Sequence, residues 1–255
     1  TVHRIVKLYG FNEADKIKPR FYEMPSFSVE KGVDGLYGVI AAVSGDRSSP
    51  LAGTTGKNAN KKNTAEDGVF VIFDNDIGRS DLLKNITNFR TPVNGQLINL
   101  DLSVGVKQKN DAGNAYNLGW KYAFGGNNGR YKGMNELYAM DSYLFTNVYD
   151  RDGIGVSGSA CGGGVKGDTY LYQFCLPSGK CNFYESGITE PNKVKLGAGI
   201  LGAGLGKGYL NNNDEVGVIV PRPDETDCSK TPNAPECQLF KTNINLKQLR
   251  WYEVR

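Results

Sequence analysis

The chain of 255 residues holds a single histidine, His3, close to its N-terminus. Ser-His-Asp and Cys-His catalysis both need an imidazole positioned by the fold, so neither chemistry is expected. A His-based zinc site is excluded on the same ground, and His3 reads as an ordinary strand residue. Charge of one sign is lacking too: 30 Lys and Arg stand against 27 Asp and Glu, a net +3. That is too weak to argue for nucleic acid or an anionic membrane as partner. Long apolar runs are missing. Stretches such as Leu36–Val43 are strand-sized and carry glycine, so no membrane span is expected. Thr1 begins no signal peptide, which reads as a leader already removed or a piece of a longer chain. No CxxC pair occurs, which makes metal binding the weaker reading of the cysteines.

What the chain does have is 33 Gly, 24 Asn, 14 Tyr and 11 Phe. Gly and Asn reach positive φ cheaply and collect in tight turns. Tyr and Phe suit pleated, half-buried surfaces. Together they predict many short strands joined by many turns, an all-β fold. Leu36–Val43 and Val69–Phe73 read as buried strands, Gly119–Phe124 opens a new cluster, and Glu136–Tyr149 holds two strand patterns back to back. Thr169–Cys175 alternates aromatics strictly, and Glu215–Val220 is a late strand. Val2–Tyr9 is a further strand pattern, Phe21–Val29 is extended but irregular, and Leu97–Val106 alternates weakly. Leu82–Phe89 offers at most one or two helical turns. No composition break divides the chain, so residues 1–255 read as one domain. Strands recur loosely as apolar strand, turn, apolar strand, polar excursion. Leu36–Phe73 forms one group, and Trp120–Tyr149 with Tyr170–Phe183 another. At ~40–50 residues for a four-stranded blade, the length suits about five blades of a β-propeller. A β-sandwich is the structural alternative.

The five cysteines crowd into the C-terminal half. Cys175 and Cys181 flank a Pro-Ser-Gly turn, so a bridge there staples the two arms of a hairpin. Cys228 and Cys237 enclose a proline-rich loop with no apolar pattern, a natural place for a covalent staple. Cys161 is left over, and pairing with Cys175 or Cys181 is open to it. Both bridges are expected, in an oxidising compartment, periplasmic or extracellular.

Other motifs dissolve on inspection. Gly197-Ala198-Gly199-Ile200-Leu201-Gly202 matches the letters of a dinucleotide loop, but three more glycines follow within six residues. They oppose the helix that would bind the pyrophosphate, so a close-packed loop or glycine-rich strand is expected. Asp74–Asp81 resembles a calcium loop until its fifth and sixth positions, which are Gly78 and Arg79. A hairpin connection is the better reading. Trp120 and Trp251 read as core or strand-face residues. Gly53–Glu66, rich in Lys and Asn, reads as a mobile excursion.

Several segments carry a resemblance. Arg20-Phe21-Tyr22-Glu23-Met24-Pro25 is followed by Leu36–Val43 and then Ser44-Gly45-Asp46-Arg47-Ser48-Ser49-Pro50-Leu51. Gly119-Trp120-Lys121-Tyr122 comes next, then Cys161-Gly162-Gly163-Gly164 with Tyr170-Leu171-Tyr172-Gln173-Phe174, and finally Leu249-Arg250-Trp251-Tyr252-Glu253. In this order they resemble the C-terminal domain of the PilY/PilC-type type IV pilus tip proteins. Arg250 and Tyr252 depart from that family's Ser-Trp-Arg-Glu ending. The resemblance implies part of a modified β-propeller at the pilus tip or outer membrane, reached through the periplasm. It implies roles in pilus biogenesis, retraction control, adhesion and, in some bacteria, DNA uptake. The partners it implies are minor pilins and a host-cell or environmental surface. The family's propeller is longer than this chain, which would be its C-terminal part. The family's acidic calcium loop lies in the earlier blades, so calcium is a family property for which no ligand is assigned here. No catalytic, cofactor or metal residue is expected. Two other functions compete: a quinoprotein-like propeller enzyme, which would want a planar cofactor stacked on Trp, and a secreted lectin-like carbohydrate-binding module. The loops Gly53–Glu66 and Asp224–Cys237 are the expected places of partner contact.

Overall fold

The computed structural model describes residues 8, 19–51, 66–81, 89–92, 95–125, 129–156, 164–183, 187–207 and 216–219. Within them every regular element is a strand, as the Gly, Asn and Tyr content predicts. The strands are β1 (Ser26–Gly32), β2 (Gly35–Val43), β3 (Gly68–Asp74), β4 (Ile98–Asn99), β5 (Gly119–Ala123) and β6 (Tyr131–Gly133). They continue with β7 (Tyr138–Met140), β8 (Tyr143–Asp150), β9 (Asp168–Cys175), β10 (Asn192–Ala198), β11 (Gly204–Lys207) and β12 (Val216–Ile219).

Two larger sheets form. The first has the order β1-β2-β3-β5-β4, in which only β4 runs parallel to its neighbour. The second has the order β10-β9-β8-β6, with β7 also paired to β8. Each contains a four-stranded antiparallel meander, β1-β2-β3-β5 in one and β6-β8-β9-β10 in the other. Among the described residues both sheets are open, with an edge strand on either side. A third, two-stranded sheet pairs β11 with β12.

Most strand patterns fall where the residues place them, but two groupings change. Trp120 and its strand belong with the first sheet, because β5 pairs with β3 through Val71↔Trp120, and do not open the second group. The turn at Asp74–Asp81 closes no hairpin either. Strand β3 next pairs with β5, on the far side of residues 75–118. A sheet takes the strand that best covers its apolar edge, and Trp120, fully buried, supplies far more area than the two-residue β4. The glycine run follows its expected course: Gly197 lies in β10, Gly199 turns at φ 83°, and β11 begins at Gly204. Val2–Tyr9 apart from Leu8, most of Gly53–Glu66, Leu82–Asn88, Cys161, Cys228, Cys237 and Trp251 lie outside the described residues.

The core lies between the sheets. Alternate residues Val39, Ala41 and Val43 of β2, Val69, Val71 and Phe73 of β3, and Trp120 of β5 face Leu144 and Val148 of β8 and Tyr172 and Phe174 of β9. Period-two alternation sends one set of side chains inward and its neighbours outward. Along β5 and β9 this yields an aromatic ladder across the gap. Trp120 and Tyr122 lie 5.7 and 5.2 Å from Phe174, and Phe124 lies 5.8 Å from Tyr172, centroid to centroid. The far face of the second sheet is also buried, where Phe145 and Leu171 pack with Leu196 and Ala203.

Cys175 and Cys181 are bonded, with Cα atoms 5.0 Å apart. The stapled turn does more than close a hairpin. Trp120 Nε1 donates to the Pro177 carbonyl at 2.7 Å, and the Val106 amide donates to the Ser178 carbonyl at 2.8 Å. Leu176 and Cys181 are themselves buried in the shared core. The turn thus pins the second sheet to the first, and it satisfies the indole N–H at the centre of the core.

A second contact is tighter. The Gly133 amide of β6 donates to the Ser44 carbonyl at the end of β2, 3.0 Å away. A Cβ on Gly45 would lie 2.0 Å from the Gly133 carbonyl oxygen, and one on Gly133 would lie 2.2 Å from Val43 Cγ2. Only glycine permits this approach.

Two predictions follow from these contacts. Replacing Cys175 and Cys181 together by Ser should lower stability by about 2 kcal/mol, since a short loop is released in the unfolded chain. Denaturant titration reads the loss, and non-reducing peptide mapping should find the bridge. Gly133→Ala should cost about 1–3 kcal/mol, because the neighbours are backbone and a β-branched side chain that must be pushed apart. An unchanged denaturation midpoint would contradict the close approach.

Candidate functional site

Three places concentrate chemistry: a buried polar seam between the sheets, an ionic cluster at the end of the second sheet, and the outer face of the first sheet.

The seam is built around Asp67, just before β3. Its side chain is 4 % exposed. The Ser44 hydroxyl donates to its carboxylate at 2.8 Å, and the same hydroxyl accepts from the Gly68 amide at 3.1 Å. The Asp67 carbonyl accepts from the Phe124 amide. Lys132 of β6, 2 % exposed, brings a cation to the same region. Burial pushes the Asp67 carboxyl up to about 6, against the pull of Ser44 and the Lys132 charge. Burial also lowers the Lys132 ammonium; Asp67 and Asp46 oppose that shift, and Arg151 adds to it. The two groups of an acid–base pair are thus each moved toward neutrality by desolvation. Asp46 is held below the ordinary carboxylate range by Ser48, Arg20, Lys132 and Tyr22, whose pull outweighs its burial.

The second cluster lies where Asp150 of β8 stands directly opposite Asp168 of β9. Facing carboxylates repel, and each is compensated. The Arg130 guanidinium grips Asp150 with two hydrogen bonds of 2.7 Å, the strong bidentate geometry. Lys195 lies 3.1 Å from Asp168, which also accepts from the Ile154 amide at 3.0 Å. Cations already hold these acids, so the pair is arranged as an ionic lock at the strand ends. The sequence shows no such pairing at Asp150, because its opposing acid Asp168 is brought to it by the next strand. A faint signal was there, an acid at the end of one apolar strand pattern and at the start of the next.

The loop Asp74–Asp81 is organised by its own donors. The Asp76 carboxylate accepts from the amides of Arg90 and Thr91 at 2.9 and 2.8 Å and from Arg79 Nη1 at 2.9 Å. These hold it below the ordinary range despite burial. Asn75 adds an amide to the Thr91 hydroxyl and accepts from Gln108. Among the described residues no group of three or more His, Cys, Asp or Glu is arranged to hold a metal ion, and no helix is long and apolar enough to cross a membrane.

The outer face of the first sheet is apolar and open along β1, while Phe70, Ile72 and Ala42 further in are buried. Phe70 is covered there by Phe21, edge to face with ring centroids 5.4 Å apart. Beyond it, Phe27 and Val29 of β1 are 54 % and 49 % exposed, with Leu36, Ile77 and Met24 exposed around them. The Phe27 ring lies over Gly38, beside Ile77. Compared with protein families, with curated proteins and with solved structures, the chain matches none. Of the residues singled out from the sequence, the structure brings Cys175 and Cys181 together and buries Trp120; Cys228, Cys237 and the second loop lie outside the described residues, as does the first except for Glu66.

The Asp67 carboxyl yields a pH prediction. Its folded value of about 6 lies above the ordinary 3.8, so between roughly pH 4 and 6 the folded chain binds the proton that the unfolded chain has lost. Stability from this group is therefore present at low pH and lost as pH rises through about 6. Asp67→Asn should remove that fall and be the more stable chain at pH 7, by on the order of 2–3 kcal/mol. Paired denaturation curves from pH 4 to 7 decide it: a difference between the two chains that does not grow with pH would show the carboxylate to be well solvated.

Proposed function

We propose that this chain is a non-catalytic, partner-holding domain of the bacterial cell surface, of the type IV pilus tip kind. One observation carries the reading: the four-stranded antiparallel meander occurs twice, face to face around one core, and a further hairpin, β11–β12, follows it. Repetition of such a unit is how propeller blades are built, which supports a partial β-propeller and, with the ordered motifs, the pilus tip resemblance. The bridged Cys175 and Cys181 suit export through an oxidising periplasm. The buried acids that the fold gathers are held by donors and cations within the chain, which suits a scaffold better than a catalyst. On this reading a rigid β framework presents loops that hold minor pilins at the fibre tip and engage a host or environmental surface. It takes no cofactor.

The test is deletion of Gly53–Glu66 and of Asp224–Cys237, singly and together, in the full-length protein within a piliated bacterium. Surface pili, twitching and attachment should fall while the protein is still exported and folded. Unchanged values for all three in the double deletion would overturn the assignment of contact to these loops. A visible-range cofactor absorbance in the purified protein would overturn the non-catalytic reading.

A further inference from the structure

Among the described residues, strand β1 is the outermost strand of the first sheet. Its hairpin with β2 closes at Gly32↔Gly35 through the two residues Val33 and Asp34. In a two-residue hairpin the closing pair exchanges both backbone hydrogen bonds, and bonded pairs then alternate along the strands. Gly32, Glu30, Ser28 and Ser26 therefore bond to β2. Phe27, Val29 and Lys31 turn their N–H and C=O groups to the open edge. The next ladder agrees, because Ser44, an even-numbered residue, donates to the Gly68 carbonyl on the β3 side. Among the described residues no backbone partner meets the amides or carbonyls of Phe27, Val29 and Lys31. The same three residues send their side chains to the exposed face in the burial alternation of β1.

We propose that this edge pairs with β1 of a second copy of the chain, antiparallel about a two-fold axis through Val29. Charge and backbone together select this register. Opposite residues in an antiparallel pair share a face. With the axis at Val29, Val29 meets Val29, and Phe27 meets Lys31 of the second copy, a ring against a cation. Ser28 meets Glu30, a hydroxyl against a carboxylate that it already approaches within its own strand. No like charges oppose each other, and every residue whose backbone faces the edge finds one that faces it in return. An axis at Glu30 would set Glu30 against Glu30. An axis at Ser28 would set Lys31 against Pro25, which has no amide to give. The pairing joins two five-stranded sheets into one, removes an exposed edge that otherwise invites uncontrolled association, and lays two copies of the apolar outer face side by side. It is a closed, isologous contact, so it stops at two copies. It is independent of what the loops hold.

The experiment is sedimentation equilibrium of the whole chain up to about 200 µM, a range that covers weak edge pairings. The wild-type chain should be a monomer–dimer mixture. Val29→Pro removes an edge-facing amide without touching a bond to β2, and should weaken dimerisation at least tenfold. Phe27→Lys sets like charges opposite each other in this register and should do the same. Adding Lys31→Glu to Phe27→Lys turns both contacts into opposite-charge pairs and should restore the dimer. Circular dichroism and melting temperature confirm that each variant is folded. A wild-type chain monomeric throughout the range overturns the proposal, as does a dimer indifferent to Val29→Pro or a double variant that stays monomeric. Binding of an unrelated extended peptide at β1 by a monomeric chain also overturns it, in favour of strand capture.

Discussion

The spacing of the two sheets is set where their backbones come closest. Gly133 of β6 donates to Ser44 at the end of β2, and Gly45 offers no Cβ to the Gly133 carbonyl. A side chain on either residue would wedge the sheets apart at that end and open the gap that the inward-facing residues of β2, β3, β8 and β9 now fill. Protein interiors tolerate little slack. The distance fixed at the glycines therefore sets how closely Trp120, Phe174, Phe124 and Tyr172 can approach. At the other end the stapled turn holds the same spacing through the indole of Trp120. The sheets are thus clamped at two points, one by absence of side chain and one by hydrogen bonds to a turn that the disulfide closes.

This clamping explains why a charged pair is tolerated at the seam. Asp67 sits beside Ser44, whose carbonyl takes the inter-sheet hydrogen bond and whose hydroxyl takes the carboxylate. Removing water from Asp67 and Lys132 costs free energy, and the displaced Asp67 carboxyl records that cost. Charges that interact through space without a direct bond are weak evidence for stability. Their chemistry serves geometry here, since one serine hydroxyl links the acid to the first amide of β3. The cross-strand acids Asp150 and Asp168 follow the same logic at the strand ends, each compensated by a cation from a neighbouring segment.

The outer face of the first sheet differs in kind. Its inner residues are spent on the core, while Phe27, Val29 and Leu36 remain about half in water. A strand that is both an edge and apolar on its open face is unusual in a chain built to stay alone. Together with loops leaving a rigid framework, it suits a protein whose work is contact with other proteins.

The sequence by itself determined the strands and the local covalent staple. Period-two alternation of aromatics in Thr169–Cys175, the apolar runs of β2 and β3, and the Cys175–Cys181 spacing are all local, and each requires only a neighbouring residue to be read. The glycine run was legible as non-helical for the same reason, since helix propensity is a sum over adjacent residues. Tertiary structure alone decided which strands pair and which polar groups meet. The choice of β5 as the partner of β3, across residues 75–118, was made by the burial of Trp120 against the second sheet. Asp67 comes into the field of Lys132 only where the two sheets meet, and Asp150 faces Asp168 only through the register of β8 on β9. Such pairings depend on distances in space, and residue order carries no record of them.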